Sequence, residues 1–573
     1  MSIKLVSTIN PSSPAPAQAP GLASKLGRPG WGWRALTYAV AIVVVAPVAA
    51  LLWLAAQGSL DHWLHLGSFV LPVAMRNTAV LLLGVGILVG CLGTGAAWLI
   101  TAFRFPTRNI LAWALLLPLA VPTYIVAFAY LDLLHPIGPV QGFIRDLLGY
   151  SSPRQFRLPD IRSLWGAVVL LGFVLYPYVY LSTRVMFATQ AASLLEAGRT
   201  LGLSARGVFW RVALPLARPA IAVGVSLALL EALNDIGAAE FLGVQTLTVA
   251  VYTTWITRSD MAGAAQIALL MLFIVIGLIT LERHGRRYQR FSSTQRMHPI
   301  QPRPLRGVSA LIAMGLGWFP IIVGFFAPAA YLVYETLRHF HGVGAVSAQL
   351  LDSGWNTLRL AFFATVVTVV LGLLVAWAAR NVRKGTQTAL LGLSRRLSTI
   401  GYAVPGTVLA IGLLLPLNLI DSAIFQIGNW FTGLSPRLFL MGSFTALVCA
   451  YVIRFLAISI GGFESGLARI PPSLEQASRL LGESAEGTLR RVHLPLLRPA
   501  IGATALLVFV DAMKELPATL LLRPVNFETL ATWLYGEAAR GTYDEGAIAA
   551  LAIVAAGLLP VILLARHQLR ASH

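Results

Sequence analysis

Charged residues are scarce in this sequence of 573 residues. Asp, Glu, Lys and Arg together make up 12% of the chain, whereas hydrophobic residues make up 57%. A soluble domain carries roughly 25% charged residues, so this chain has too few to build a surface that faces water on all sides. The excess of apolar side chains must face lipid, which excludes a soluble protein and predicts an integral membrane protein.

Cysteine and lysine are also rare, and each shortage excludes a class of site. The two cysteines, Cys91 and Cys449, lie within apolar runs, a position that suggests neither a disulfide framework nor a zinc site. None of the four lysines follows a glycine, so the chain contains no G-x-x-x-x-G-K-S/T loop for nucleotide phosphates. Because H-E-x-x-H, Cys/His clusters and plausible catalytic sets are missing too, we predict no enzyme activity, no bound metal and no cofactor.

Long apolar runs divide the chain into twelve candidate membrane spans, since a helix needs about 20 apolar residues to cross the hydrocarbon. In the first half the runs are Ala35–Ala56, Thr78–Ala102, Leu111–Leu134, Leu164–Phe187, Pro219–Asp235 and Ala262–Leu281. In the second half they are Val308–Tyr334, Thr357–Ala379, Leu397–Leu417, Leu440–Ile460, Pro499–Glu515 and Gly546–Leu564. Aromatic residues near span ends, such as Tyr176 and Tyr178, are interpreted as interfacial anchors. The predicted fold class is all-α, a polytopic membrane protein with two six-helix halves.

The positive charge of the chain lies between the apolar runs and predicts its orientation. The net charge is +20, and 31 of the 43 Lys and Arg residues fall on the cytoplasmic side if the N-terminus is placed in the cytoplasm. This bias follows the positive-inside rule, which we prefer to nucleic-acid binding because the basic residues form no patch with aromatic spacing. Both termini are therefore predicted to be cytoplasmic. The loop 135–163, on the opposite side, carries four Arg and is predicted to hold a short surface helix.

The segment ERHGRRYQRFSSTQRMHPIQPRPLR, from Glu282 to Arg306, is basic and contains three prolines. It cannot lie in lipid, because each Arg at the centre of a span costs about 2.5–3.5 kcal/mol. We therefore predict a cytoplasmic tail at 1–34, a first transmembrane half at 35–281, a cytoplasmic linker at 282–307 and a second transmembrane half at 308–573.

The two halves repeat one polar block. Residues Glu196–Ile221 and Gln476–Ile501 are identical at 16 of 26 positions, with an offset of 280 residues and no gap. A weaker similarity relates Val121-Pro122 to Val404-Pro405 within the third span of each half. Since the block follows the fourth span in each half of six, both copies face the same side, and the repeat is parallel, about an axis along the membrane normal.

The residues of the block predict a helix–turn–helix on the membrane surface. Gly202 and Gly482 can stop a first short helix by adopting positive φ, and the serine two residues later can cap the next helix. A Leu-Pro pair is expected to end that second helix, because the residue before proline disfavours helix. Pro219 and Pro499 suit the first turn of the membrane helix that follows.

EAGRTLG followed by FWRVALPLARP resembles the EAA signature loop of permease subunits in binding-protein-dependent ABC importers. In that family the loop forms a coupling helix that docks into a groove of the ATPase subunit. The second copy departs from the pattern, since Gln476 replaces the leading Glu, Glu475 stands one residue early, and Arg490 replaces Trp210. The resemblance assigns the coupling role to Glu196, Ala197, Gly198, Gly202, Leu214, Pro215, Gln476, Ala477, Ser478, Gly482, Leu494 and Pro495.

The resemblance covers nearly the whole chain after about residue 35. It implies a fused two-half permease in the bacterial inner membrane, with ABC ATPase subunits at the cytoplasmic face, an extracytoplasmic substrate-binding protein and the lipid bilayer as partners, and no nucleic acid. ATP hydrolysis is expected on the separate subunit. EALNDIGAAEFLGVQTLTVAVY and DAMKELPATLLLRPVNFETLATWLY are most similar to fused permeases of ferric-iron importers, which implies ferric iron as substrate.

Two alternatives stay open at this stage. The same importer class also carries thiamine, polyamines or oxyanions. A twelve-helix secondary transporter would share the architecture but would need intramembrane carboxylates as ion relays, which the middles of most spans lack.

The fifth span of each half ends in a charged set related by the same offset of 280. Glu231 corresponds to Asp511, Asn234 to Lys514 and Asp235 to Glu515. Carboxylates four residues apart share one helix face, so the four are expected to form an electronegative ring that attracts a cation. We hypothesise that Asp235 and Glu515 line the outer part of a cation path. The alternative is that these groups end their helices in water, with Lys514 paired to Asp511.

Overall fold

A computed structural model describes residues 31–58, 63–64, 66–189, 198, 200–288, 302–342, 344–380, 386–432 and 439–571. The predicted tail 1–34 lies almost wholly outside these residues, as does the middle of the predicted linker. The regular elements of the described chain are helices, apart from two parallel two-residue strands, Phe103–Arg104 and Arg303–Pro304. This pairing joins the end of the second span to the chain that enters the second half.

The helices of each half follow one order. Those of the first half are Trp31–Ala56, Leu66–Val70 (π), Leu71–Ala102, Arg108–Ala114, Leu117–Ala120 (3-10), Thr123–Leu133, Pro139–Leu148, Leu164–Thr189, Ala205–Val208, Phe209–Ala213 (π), Leu214–Asn234, Gly237–Phe241, Leu247–Ile256 and Met261–Tyr288. Those of the second half are Val308–Ile321, Ile322–Phe326 (π), Ala327–Gly342, Ala348–Arg380, Thr386–Ser398, Ile400–Ala403 (3-10), Gly406–Thr432, Phe444–Ala468, Pro472–Leu480, Ala485–Thr488, Leu489–His493 (π), Leu494–Met513, Pro517–Leu522, Leu530–Arg540 and Tyr543–Ala571.

The predicted all-α fold with about twelve spans is confirmed. Within the described residues, eleven helices are long and apolar enough to cross a membrane, and a bent pair makes a twelfth. The short helix predicted in the loop 135–163 is also present, as Pro139–Leu148.

Proline breaks the third span of each half, which the sequence analysis treated as continuous. In the first half the chain bends by 89° between Ala120 and Thr123, where Val121 is extended with φ −104° and ψ 118°. In the second half Val404 is extended in the same way, with φ −78° and ψ 122°, and a new helix begins at Gly406. Each Val-Pro pair is therefore a helix break, because proline disfavours the helical conformation of the residue before it.

In the fifth span of each half, a predicted helix end is absent and the helix continues through proline. We expected Leu214-Pro215 and Leu494-Pro495 to end a short helix, but continuous helices of 29 residues run through them, at Arg206–Asn234 and Ala485–Met513. A π-helical turn immediately precedes each Leu-Pro pair. A π turn interrupts the regular i→i−4 hydrogen bonds of the helix. A proline, which has no N–H and whose ring needs space in the preceding turn, can therefore be accommodated there.

The first span of each half packs across the other half. An added Cβ on Gly412, in the ninth span, would lie 2.4 Å from the carbonyl oxygen of Pro47 in the first span. An added Cβ on Gly324, in the seventh span, would lie 2.3 Å from that of Phe173 in the fourth span, and the Tyr130 hydroxyl donates to the Val323 carbonyl at 2.7 Å. The first span of each half therefore packs against helices of the other half, so the groups of helices that pack together differ from the consecutive halves 35–281 and 308–573.

Candidate functional site

A cavity of about 140 Å³ lies between the two halves where the fifth spans end. Its lining comes from the broken third span, the fourth span and the end of the fifth span of the first half, and from matching segments of the second half. All four predicted carboxylates line it, namely Glu231, Asp235, Asp511 and Glu515. The repeat thus brings together the groups that the offset of 280 residues relates.

Asp235 and Glu515 have equivalent local roles, because each caps the short helix that follows its span. Asp235 Oδ1 accepts from the Ala238 N–H at 3.0 Å. Glu515 accepts from the N–H of Ala518 at 3.0 Å, and from the N–H and hydroxyl of Thr519 at 3.1 and 2.8 Å. Carboxylates are favoured at helix N-termini because the unpaired N–H groups and the helix dipole attract negative charge. These two carboxylates therefore line the cavity while holding its outer helices.

Glu231 and Asp511 form the second related pair, and they make fewer backbone contacts. Glu231 accepts from the Tyr402 hydroxyl at 3.1 Å, and Asp511 pairs with Lys514 at 2.8 Å. This confirms the i,i+3 pair of the alternative hypothesis, but the pair lies in the cavity. Both carboxylates interact with Tyr178 and Tyr402, so they converge on one region of the lining.

Arg454 is a cavity residue that the sequence analysis did not single out. Its guanidinium lies 3.4 Å from Glu515 and 3.5 Å from the side-chain oxygen of Asn234. The cavity therefore holds four carboxylates against two cations, not one. Arg454 lies within the apolar run Leu440–Ile460, and a charge in such a position is by itself a signal of function that could have been used.

Three tyrosines also line the cavity, Tyr124, Tyr178 and Tyr402. The interpretation of Tyr178 as an interfacial anchor was therefore wrong, as it was for Tyr176, which is fully buried. The part of the fourth span from Leu170 to Tyr180 is packed within the protein, so Tyr176 and Tyr178 contact other helices where an isolated span would meet the interface. Sequence alone does not reveal this difference.

The repeated blocks adopt the predicted helix–turn–helix start. Gly202 and Gly482 have φ of +85° and +87°. The same hydrogen bond closes both turns, as in a Schellman motif. The Leu203 N–H donates to the Gly198 carbonyl at 3.0 Å, and the Glu483 N–H donates to the Ser478 carbonyl at 3.1 Å. The predicted serine caps are present at Ser204 and Ser484.

The second small residue of each repeated block, Gly198 or Ser478, is buried. Glu196 and Ala197 lie outside the described residues. Gln476 and Ala477 are exposed, whereas Ser478 is buried and its hydroxyl lies 2.9 Å from that of Thr488. Gly198 is buried too. The second small residue of each block thus packs inside its own block and does not face outward.

Glu475 ties the second block to two spans. Its carboxylate lies 2.5 Å from Arg380, at the end of the eighth span, and 3.0 Å from His493, in the π turn of the eleventh. Arg380 also donates to the Ile470 carbonyl at 2.7 Å. Glu475, the acidic residue that precedes the second block, is therefore directed inward and holds the block against the eighth and eleventh spans.

Three leucines are highly exposed on the described parts of the blocks, namely Leu201, Leu481 and Leu480, which is 88% exposed. Leu201 is 83% exposed and Leu481 is 85% exposed, and they occupy equivalent positions of the repeat. Among the described residues no three His, Cys, Asp or Glu side chains converge in a way that could hold a metal ion.

Both halves match one protein family. Residues 86–289 and 368–571 each match the family described as the binding-protein-dependent transport system inner membrane component. The two matches together cover well over half of the chain, and each includes one copy of the repeated block.

Individual relatives agree with this match. The chain is 24% identical over 500 residues to an Fe(3+)-transport system permease protein of Haemophilus influenzae, covering 87% of this chain and 90% of that protein. It is 25% identical over 558 residues to a probable ABC transporter permease protein of Sinorhizobium fredii, covering 93% and 94%. The sulfate transport system permease protein of Escherichia coli is 25% identical over 260 residues, which is 43% of this chain and 90% of that protein. That relative therefore has the length of one half.

Proposed function

This chain belongs to the family of binding-protein-dependent transport system inner membrane components, and on that premise we propose that it carries ferric iron across the bacterial inner membrane. It is a multi-pass ABC importer permease with both permease halves on one chain. The observation that carries the substrate assignment is the composition of the central cavity between those halves.

The cavity chemistry favours a hard cation over an anion. Its four carboxylates and two cations give a formal charge of −2, and three phenols add neutral oxygen donors. Carboxylate and other hard oxygen ligands suit hard metal cations, while a ring of negative charge opposes anions. A sulfate or molybdate ion would meet net repulsion here. The full-length relative named as an Fe(3+)-transport permease supports the same choice.

The repeated blocks are proposed to face the cytoplasm and to receive ATPase subunits. The exposed Leu201 and Leu481 give each block an apolar contact at the same place, as docking to two copies of one partner requires. The N- and C-termini then lie in the cytoplasm. The extracytoplasmic binding protein would deliver substrate at the opposite end of the bundle, and ATP would be hydrolysed on the ATPase subunits.

Reconstitution tests the substrate. The permease is assembled with its ATPase subunits and binding protein in proteoliposomes, and uptake of ferric iron, sulfate and molybdate is measured with and without ATP. We expect ATP-dependent uptake of iron and background levels of both oxyanions. ATP-dependent uptake of an oxyanion without uptake of iron would contradict the proposal.

A further inference from the structure

A second and larger cavity, of about 660 Å³, lies at the end of the bundle away from the repeated blocks. Asp352, near the start of the helix Ala348–Arg380, lines it, whereas Arg380 at the other end of that helix holds Glu475 of the second block. A helix of 33 residues is about 50 Å long, so the two ends lie on opposite sides of the membrane. On the proposed orientation, this cavity opens toward the binding protein.

Hard oxygen donors from both halves meet at one side of this outer cavity. Tyr252, from the first half, and Tyr535, from the second, both line it. The Tyr535 hydroxyl interacts with the Tyr252 hydroxyl and with the carboxylate of Glu240. The ring of Tyr535 also stacks on Phe241, with ring centroids 5.6 Å apart, which holds the phenol beside Glu240.

One oxygen of this group of donors, on Glu240, is without a hydrogen-bond partner among the described residues. Glu240 Oε2 is buried, and no hydrogen-bond partner for it exists in the part of the chain that the structure describes. The nearby cations are already engaged, since Arg523 pairs with Glu528 and Arg540 with Glu537. Glu240 Oε2 therefore keeps acceptor capacity, and Arg523, the cation that also acts on Tyr252, is held by Glu528.

The chemistry of these donors selects a strongly polarising cation. Carboxylate and phenol oxygens are hard ligands, which suit hard and highly charged metal cations. A metal ion is the largest local charge in such a site and lowers the pKa of its own ligands. A trivalent hard cation does this far more effectively than a monovalent one.

The site is also placed in line with the central cavity. Glu240 belongs to the short helix Gly237–Phe241, whose first residue lines the central cavity and whose N-terminus Asp235 caps. A helix of five residues rises only about 7 Å. One short helix therefore separates the phenols from the carboxylates of the central cavity.

We propose that Tyr252, Tyr535 and Glu240 form a receiving site that binds a trivalent hard metal cation at the outer face before it passes to the central cavity. The inference rests on the proposed function, because it assumes that such a cation is the cargo. It adds a binding step, with named ligands from both halves, between release from the binding protein and passage between the halves.

The test uses the complete complex with ferric citrate as probe. In lipid nanodiscs, wild-type complex titrated with ferric citrate should develop the visible charge-transfer absorption of a phenolate–iron bond. Tyr535→Phe should lose most of this absorption and, in proteoliposomes, raise the half-saturation concentration for iron uptake by about tenfold, equivalent to 1.4 kcal/mol. Glu240→Gln should raise that concentration while the phenolate absorption persists. Tyr150→Phe, an exposed tyrosine stacked on Phe156, is the matched control and should behave as wild type.

The outcomes separate this inference from the proposed function. Wild-type complex that takes up iron, with Tyr535→Phe and Glu240→Gln unchanged in absorption and half-saturation, would overturn the receiving site alone. Wild-type complex that transports an oxyanion and no iron would overturn the proposed function, and the receiving site with it. Because Glu240→Gln leaves both phenols in place, a folding failure of Tyr535→Phe does not remove the test.

Discussion

Arg454 is the residue on which the charge balance of the central cavity depends. Its side chain is largely buried and supplies the only cation within ion-pairing distance of Glu515 in the described chain. Breaking a buried ion pair by removing one partner costs about 3–5 kcal/mol, because the remaining charge is left uncompensated. Glu515 has backbone donors as well, which soften the loss without supplying a positive charge.

Arg454→Met should therefore lower the thermal denaturation midpoint of the purified protein in detergent. Arg454→Met/Glu515→Gln should recover part of the loss, because glutamine carries no charge and its amide oxygen still accepts part of the hydrogen bonds of the cap. Arg469→Met, at an exposed arginine, serves as control. A midpoint for Arg454→Met equal to that of wild type, or a double variant no better than the single one, would refute the importance of the pair.

At the residue scale the sequence predicts which carboxylates line the central cavity, but not which contacts each of them makes. The offset of 280 residues singles out Glu231, Asp235, Asp511 and Glu515. The capping role of Asp235 and Glu515 depends on short helices of five and six residues, which are too brief for a periodic pattern to predict. Arg454 is visible as a charge in an apolar run, but its partner belongs to another span, and sequence does not say which spans pack together.

The elements of the repeated block show how glycine and proline act differently in context. The turns at Gly202 and Gly482 were predictable, because positive φ is a local property of the backbone. The continuation of the helix through Pro215 and Pro495 was not, because it depends on a π turn that the surrounding packing stabilises. The breaks at Val121-Pro122 and Val404-Pro405 show the other outcome that a proline can have, the end of the helix before it.

Gly482→Val should uncouple the transporter, as should Gly202→Val. A β-branched side chain at φ near +85° costs roughly 1–3 kcal/mol of strain, which should displace the docking turn while membrane insertion stays normal. We expect substrate-stimulated ATP hydrolysis by the assembled complex to be lost. Gly502→Ala, at a helical glycine whose added Cβ would meet nothing within 4 Å, should hydrolyse ATP normally. Full stimulation in both valine variants would refute the coupling assignment.

Arg380→Met should loosen the second block, because it removes both the ion pair with Glu475 and the hydrogen bond to the Ile470 carbonyl. We expect basal ATP hydrolysis to persist in the assembled complex while its stimulation by loaded binding protein falls at least about threefold, the effect of roughly 0.7 kcal/mol. Glu475→Gln, which keeps a hydrogen-bond acceptor, should have a smaller effect. Equal stimulation in wild type and Arg380→Met would show that the Arg380–Glu475 ion pair is not needed for loaded binding protein to stimulate ATP hydrolysis.

The whole molecule is a duplication in which each half completes the other. The number and order of spans follow from apolar runs, because span length is set by the bilayer. The exchange of the first spans was not predictable, since hydropathy gives no information on which helices touch. One fused chain supplies both sides of the central cavity, so one copy of this permease per complex suffices.

The orientation of the whole chain can be tested with reporters. A reporter inserted in the linker between Glu282 and Arg306, or at the C-terminus, should be cytoplasmic. A reporter inserted between Phe340 and Asp352 should be extracytoplasmic, because the seventh and eighth spans connect there. The opposite location at any of these sites, judged by the activity of compartment-specific enzyme fusions, would mean that a span has been miscounted.

The central claim is that a cation passes between the two halves through the carboxylates of the central cavity. Its most direct test is iron uptake by proteoliposomes that contain the complete complex with Glu231→Gln/Asp511→Asn, compared with the control Asp146→Asn/Asp160→Asn in the exposed loop 135–163. The pair was chosen because neither carboxylate caps a helix, and two unit charges acting over a few ångströms in protein contribute several kcal/mol. We predict uptake at least about tenfold lower with basal ATP hydrolysis intact, and a control equal to wild type. Unchanged uptake across a range of iron concentrations would contradict the account.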